Sequence, residues 1–260
     1  MNPNLCRVAL RPRNPLEVFD LCMVFVRASL GPMLRLAAVG VGIPWVLLSV
    51  AAVLSQGAWW VVLLPLPLFP LLQMPFTLLG GRLLFREEAT ARQALAESVR
   101  GLGRLGVVAG AGLVGGLLSL FTCGYGYIPV FAGLLYLPET ALLERVGPRR
   151  ALRRALRLAG GNVGIALVGS TARLFLTVWM ALVCEGFGQA LLDTTLQLGQ
   201  PVGSLWTGQI TPFLLLGILL AQPIHAIYRL LLYVDVRTRI EGWDLQVGMR
   251  AAGIARQDSR

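Results

Sequence analysis

The chain has 260 residues, is 56% hydrophobic and 14% charged, and has a mean hydropathy of +0.70. A soluble domain carries about 25% charged residues, so this composition excludes an ordinary soluble fold and predicts an all-helical, polytopic membrane bundle. The net charge of +10 comes from arginine alone, and with no recognition motif and the arginines set between apolar runs, it is read as positive-inside patterning and attraction to anionic headgroups, not as a nucleic-acid surface.

Residues 1–13 carry Arg7, Arg11 and Arg13 among Pro and Asn and read as a disordered basic tail. No apolar core with a small-residue cleavage site follows closely, so no cleaved signal peptide is expected. Asn14-Pro15-Leu16-Glu17 is a helix start: a cap, a Pro at the first position and an acid in the first turn. Leu16, Phe19, Met23, Val26 and Leu30 then fall at helical spacing, which predicts an amphipathic helix lying in the cytoplasmic interface and ending at Gly31-Pro32.

Residues 36–81 hold no Asp, Glu, Lys, Arg or His. A span needs about 20 apolar residues, so the run is long enough to cross twice, at about 36–55 and 60–80, turning at Ser55-Gln56-Gly57. The second crossing contains Pro65, Pro67, Pro70 and Pro75. It is either a kinked helix whose freed carbonyls find neighbours, or an unwound segment lining a cavity.

A polar stretch at 82–104 follows, with Thr90 and Gln93 spaced as a capping box for a second amphipathic helix. The third span, about 105–122, is rich in Gly; Cys123 to Tyr127 form a turn; the fourth span, about 127–145, holds Pro138-Glu139. Gly147-Pro148 opens a third amphipathic helix with Arg149, Arg150, Arg153, Arg154 and Arg157 on one face. That face is a solvated marker of the cytoplasmic side or a surface for anionic lipid or a partner protein. The fifth span, about 162–184, carries Arg173; residues 185–210 read as an outer loop with one short surface helix; the sixth span, about 211–233, contains Gln222, Pro223 and His225. The last residues, 246–260, read as a flexible tail.

Twenty-two of the 23 arginines fall on one side of this six-span plan, Arg173 being the exception, which predicts that both termini are cytoplasmic in a bacterial inner membrane. An in-plane helix precedes spans one, three and five, so the unit of helix, span out and span back occurs three times. Cys123 and Cys184 fall at the outer ends of odd spans, where a disulfide is conceivable but needs Cα atoms within about 7 Å.

Beyond span six the chain reads Tyr233, Asp235, Arg237, Arg239, Glu241, Gly242, Asp244 at the pattern Y-x-D-x-R-x-R-x-E-G-x-D. This resembles the tail of a group of uncharacterised bacterial six-span proteins, the glycerophosphoryl diester phosphodiesterase membrane domain and the YciC-like group. The resemblance implies a membrane domain and not the phosphodiesterase activity, which would belong to a fused soluble domain. The tail alternates as a strand does but also pairs Asp235 with Arg239 and Arg237 with Glu241 at i, i+4; the helix is favoured, since no partner strand is in sight.

His225 is the single histidine, so a multi-histidine metal site is excluded, and no zinc spacing, nucleophile elbow, phosphate loop or dinucleotide motif is present. No cofactor is expected. Arg173 lies about 18 Å past Gly161 along a helix, near a bilayer midplane, where an arginine faces the bundle interior. Glu139 is its expected charged partner, with Gln222 and His225 as neutral alternatives, and these four residues form the candidate intramembrane cluster. The reading that follows is a non-enzymatic membrane scaffold or accessory subunit acting through lipids or protein partners. A transporter component with a polar midplane site is the alternative; a lipid-modifying enzyme is a third reading with no catalytic constellation behind it.

Overall fold

The computed structural model describes residues 13–65, 69–84, 89–101, 132–144, 147–199 and 201–241, with isolated positions 106, 110 and 114. Its helices are α1 (Pro15–Ala28), α2 (Leu30–Gly40), α3 (Gly42–Leu54), α4 (Phe69–Leu84), α5 (residues 91–101), α6 (Leu137–Leu142), α7 (Pro148–Gly161), α8 (Val163–Ala190) and α9 (Pro212–Glu241). No strand occurs among the described residues. Most of the expected third span, the Cys123 turn, Gly242, Asp244 and both extreme tails lie outside them.

Local chemistry sets the helix ends. Asn14 accepts a hydrogen bond from the Leu16 amide, Pro15 fills the first position, and Glu17 and Arg27 sit at the dipole ends they complement. Thr90 and Gln93 exchange two bonds, Thr90 N–H to Gln93 Oε1 at 3.1 Å and Gln93 N–H to Thr90 Oγ1 at 3.3 Å, so the capping box forms. Gly31-Pro32 does not end the first helix. The break is the single residue Ser29 (φ −115°, ψ 20°), and Pro32 lies in the first turn of α2, where its missing N–H costs no intrahelical bond.

Among the described residues, three stretches are long and apolar enough to cross a membrane: Leu30–Leu54, Val163–Thr195 and Pro212–Ile240. The apolar windows of the first two are only 17% and 22% buried within the protein, against 78% for the third. So α9 is the central post, and α2, α3 and α8 turn wide apolar faces outward. The expected second crossing is interrupted: Trp59–Leu63 is a 3₁₀ turn, residues 64–65 are a further turn, and α4 is described over Phe69–Leu84, with Pro75 inside it.

The expected outer loop also changes. α8 continues past Cys184 to Ala190 and through a π turn at Leu191–Thr195. Glu185 does not terminate it, because its carboxylate is buried and accepts from Thr211 Oγ1, from the Leu205 amide at 3.1 Å and from Gln189 Nε2 at 3.2 Å. The chain turns back through a 3₁₀ turn at Leu205–Thr207.

Helices in lipid gain little from the hydrophobic effect and associate by close backbone approach. Gly217 of α9 lies directly on α8: a Cβ there would stand 2.6 Å from Ala181 Cα and against the Met180 carbonyl. Gly169 and Gly188 of α8 make room for Leu232 and Phe213 of α9, and Gly80 of α4 for Ile227.

Candidate functional site

Two prolines prepare a polar centre between α4 and α9. Each lacks the N–H its helix needs, and polar side chains gather beside each, Gln73 and Thr77 around Pro75, Gln222 and His225 around Pro223. The helices meet there. Gln73 Nε2 donates to Gln222 Oε1 at 2.6 Å, and Gln222 Nε2 donates to the Ile218 carbonyl of its own helix at 2.8 Å.

Arg229, two turns further along α9, completes the centre. It is 3% exposed and pairs with the fully buried Glu139 of α6, Nε to Oε1 at 2.6 Å. Its Nη1 donates to Gln73 Oε1 at 2.6 Å and its Nη2 lies 3.4 Å from Thr77 Oγ1. The second Glu139 oxygen, Oε2, is buried and has no hydrogen-bond partner among the described residues. Most donors and acceptors here are therefore matched, and the charge pair sits in amides and a hydroxyl, the surroundings a buried ion pair requires.

Of the four residues expected to cluster, Glu139 and Gln222 join this network. His225 is buried one turn away, with Nε2 3.4 Å from Thr177 Oγ1. Thr177 also donates to the Arg173 carbonyl at 3.0 Å, and the direction of its contact with His225 follows the imidazole tautomer. Arg173 is half-buried on α8 one turn from Thr177. The cation on Glu139 Oε1 is Arg229, not the Arg173 that depth along the helix suggests. Reading Arg229 as one of the cytoplasmic arginines misses it; the available signal is the spacing Gln222, His225, Arg229, a polar stripe at i, i+3, i+7 on an otherwise apolar helix.

The tail motif is also built into the bundle. α9 runs as one helix through Tyr233, Asp235, Arg237 and Arg239 to Glu241. Tyr233 donates its hydroxyl to Glu144, which also pairs with Arg154 of α7. Arg237 stacks 5.6 Å over the Tyr233 ring. Asp235 accepts from the Arg13 amide at 2.6 Å and from Arg239 Nε at 2.9 Å, while Arg239 reaches the Arg13 carbonyl. Arg13 is thus held, although the sequence reads it as the end of a free tail. On α1, Cys22 is buried against the Ile224 carbonyl at 3.6 Å, and burial pushes its thiol up to about 12.

α7 has two unlike sides. Ala151, Ala155, Leu158 and Ala159 are buried in the main core. Arg149, Arg150, Arg153 and Arg157 are exposed and make no ion pair with a described residue; Arg154, at the edge, takes Glu144. No acid stands in the first turn and no side chain caps it, so Arg149 and Arg150 oppose the helix dipole. No group of three metal-ligating side chains occurs among the described residues. No family model matches the chain, and no curated protein or solved structure is similar to it.

Proposed function

We propose that the protein is a multi-pass bacterial inner-membrane protein that works by contact, as a scaffold or accessory subunit, with α7 as its contact element. The observation that carries this reading is the division of α7. An amphipathic helix that inserts into a bilayer keeps its apolar face for lipid. Here most of that face, Ala151, Ala155, Leu158 and Ala159, is taken up by the protein's own core, with only Leu152 and Leu156 at its margin, and four arginines that make no ion pair with a described residue stand outward on a fixed support. The buried centre at Arg229 is read as structural, since its groups bond to one another and leave few sites open. The arginine asymmetry puts both termini and α7 on the cytoplasmic side.

A purification in native lipid tests this. Anionic lipid or a defined protein should be retained by the natural chain and lost when Arg149, Arg150, Arg153 and Arg157 are all replaced by Gln. Equal retention by both would refute it.

A second reading, a transporter component, draws on the interruption of the expected crossing at Trp59–Leu63 and on Glu139 Oε2, which has no partner among the described residues. Solute flux into proteoliposomes that disappears in Glu139→Gln would favour it over the scaffold.

A further inference from the structure

We propose that Arg149 and Arg153 hold the phosphates of anionic phospholipid headgroups, while Arg150 and Arg157 face the cytoplasm; this rests on the scaffold reading of α7. At 3.6 residues per turn, positions around α7 can be ordered. Ala151, Leu158, Ala155 and Ala159 cover the core side. Next round the helix come Leu152, half-buried, and Leu156, 48% exposed. Arg149 follows about 20° beyond Leu156 and Arg153 about 60° beyond it, whereas Arg157 and Arg150 lie about 100° and 120° away. Arg154 closes the far edge, bound to Glu144.

α7 is therefore three-sided: core, an apolar margin, and an arginine arc. The margin fixes the orientation. α7 ends at Gly161 and the membrane-length helix α8 begins at Val163, so α7 stands where that helix meets the water boundary. Val163 is itself 53% exposed, which continues the outward apolar surface from α7 onto α8. An apolar margin at that height faces acyl chain, and the arginines beside it stand at phosphate depth with their stems on the margin. Arg149 and Arg153 are one turn apart, so two guanidinium groups converge on the same headgroup region. The complementarity is one-sided: no acid on α7 competes with a phosphate.

The test compares two variants with the same charge loss, R149Q/R153Q and R150Q/R157Q, in the full chain. Each is reconstituted in vesicles of phosphatidylethanolamine with phosphatidylglycerol, extracted as nanodiscs, and its retained lipid measured by mass spectrometry against the bulk ratio. At about fivefold per arginine at the surface, R149Q/R153Q should lose about 25-fold of the phosphatidylglycerol enrichment and R150Q/R157Q less than about fivefold. L156Q, which removes the margin and no charge, should move with R149Q/R153Q. Equal losses in the two pairs would overturn the inference and leave the scaffold reading standing, because charge alone would then account for retention. A loss confined to R150Q/R157Q would reverse the orientation. If the fourfold variant also keeps its lipid and its partners, both the inference and the scaffold reading fail. All four positions are exposed, and an unchanged elution profile verifies that each variant is folded.

Discussion

Removing Arg229 should damage the protein more than removing Arg229 and Glu139 together. In Arg229→Leu, Glu139 keeps a buried carboxylate with no donor on Oε1, where Arg229 Nε stood at 2.6 Å, and none on Oε2. Gln73 Oε1 also loses its 2.6 Å donor. Breaking a buried pair from one side costs about 3–5 kcal/mol, and an orphaned amide oxygen adds about 1–3 kcal/mol. Arg229→Leu with Glu139→Leu removes both charges and leaves only the Gln73 oxygen, so most of the first cost disappears. At about 2–4 °C per kcal/mol for a chain of this size, the single change should lower the apparent melting midpoint by about 8–32 °C and the double change by about 2–12 °C, at equal conversion a clearly smaller loss. Detergent-solubilised protein heated and scored by the surviving monodisperse peak gives the comparison, with the natural chain alongside. A double variant that melts below Arg229→Leu would refute the account, since the carboxylate could not then be the source of the damage.

The remaining expectations are local. Gly217→Ala should cost about 1–3 kcal/mol or more, because the new methyl meets α8 backbone at Ala181 and Met180 and not a movable side-chain end; a melting midpoint unchanged from the natural chain would show that the crossing is loose. Cys22 should resist maleimide at pH 8 in the folded protein and react on unfolding, read by peptide mass spectrometry, and rapid native labelling would contradict its burial. The sign of the pH effect follows: the folded state holds that proton more tightly than the unfolded chain, so stability falls as pH rises from 9.0 towards about 12, by about 1.4 kcal/mol per unit. Asp235→Ala should raise amide exchange at residues 13–18 by freeing the Arg13 segment, with unchanged protection counting against the clasp. Reporter fusions after Gln56, Gly126 and Gln200 should read external and one after Arg260 internal; an internal signal at Gln200 would overturn the topology.

Helix starts were the most legible feature, because a cap is decided by neighbours in sequence. Asn14 with Pro15, and Thr90 with Gln93, make the bonds their spacing predicts. Breaks were less legible. Gly31-Pro32 looks like a stop, yet Ser29 takes the break and Pro32 is absorbed in a first turn. Glu185 looks like a loop residue, yet donors from Gln189, Leu205 and Thr211 let it stay in a helix. The identity of the buried cation was harder still. Depth along a helix favours Arg173, but which arginine reaches Glu139 depends on which helix is central, and hydropathy does not rank Val163–Thr195 against Pro212–Ile240 in that respect.

Centrality explains why α9 carries so much polar chemistry. A helix covered on all sides has no lipid to exclude its polar groups and no water to satisfy them, so each must find a partner on a neighbour. Gln222 finds Gln73, Arg229 finds Glu139, Tyr233 finds Glu144, and Asp235 finds Arg13. These four bonds run down one helix and tie it in turn to α4, to α6, to the segment after α6 that also binds α7, and to the segment before α1. The tail motif is then the lower half of the same device that fills the centre. Its Tyr and Asp fasten the chain leading into α1 and the acid that grips α7, so the arginine helix is held by α9 through Glu144 and Arg154. The orientation of α7, and with it the outward set of Arg149 and Arg153, depends on that grip, which ties the tail of α9 to α7 through three side chains, Tyr233, Glu144 and Arg154.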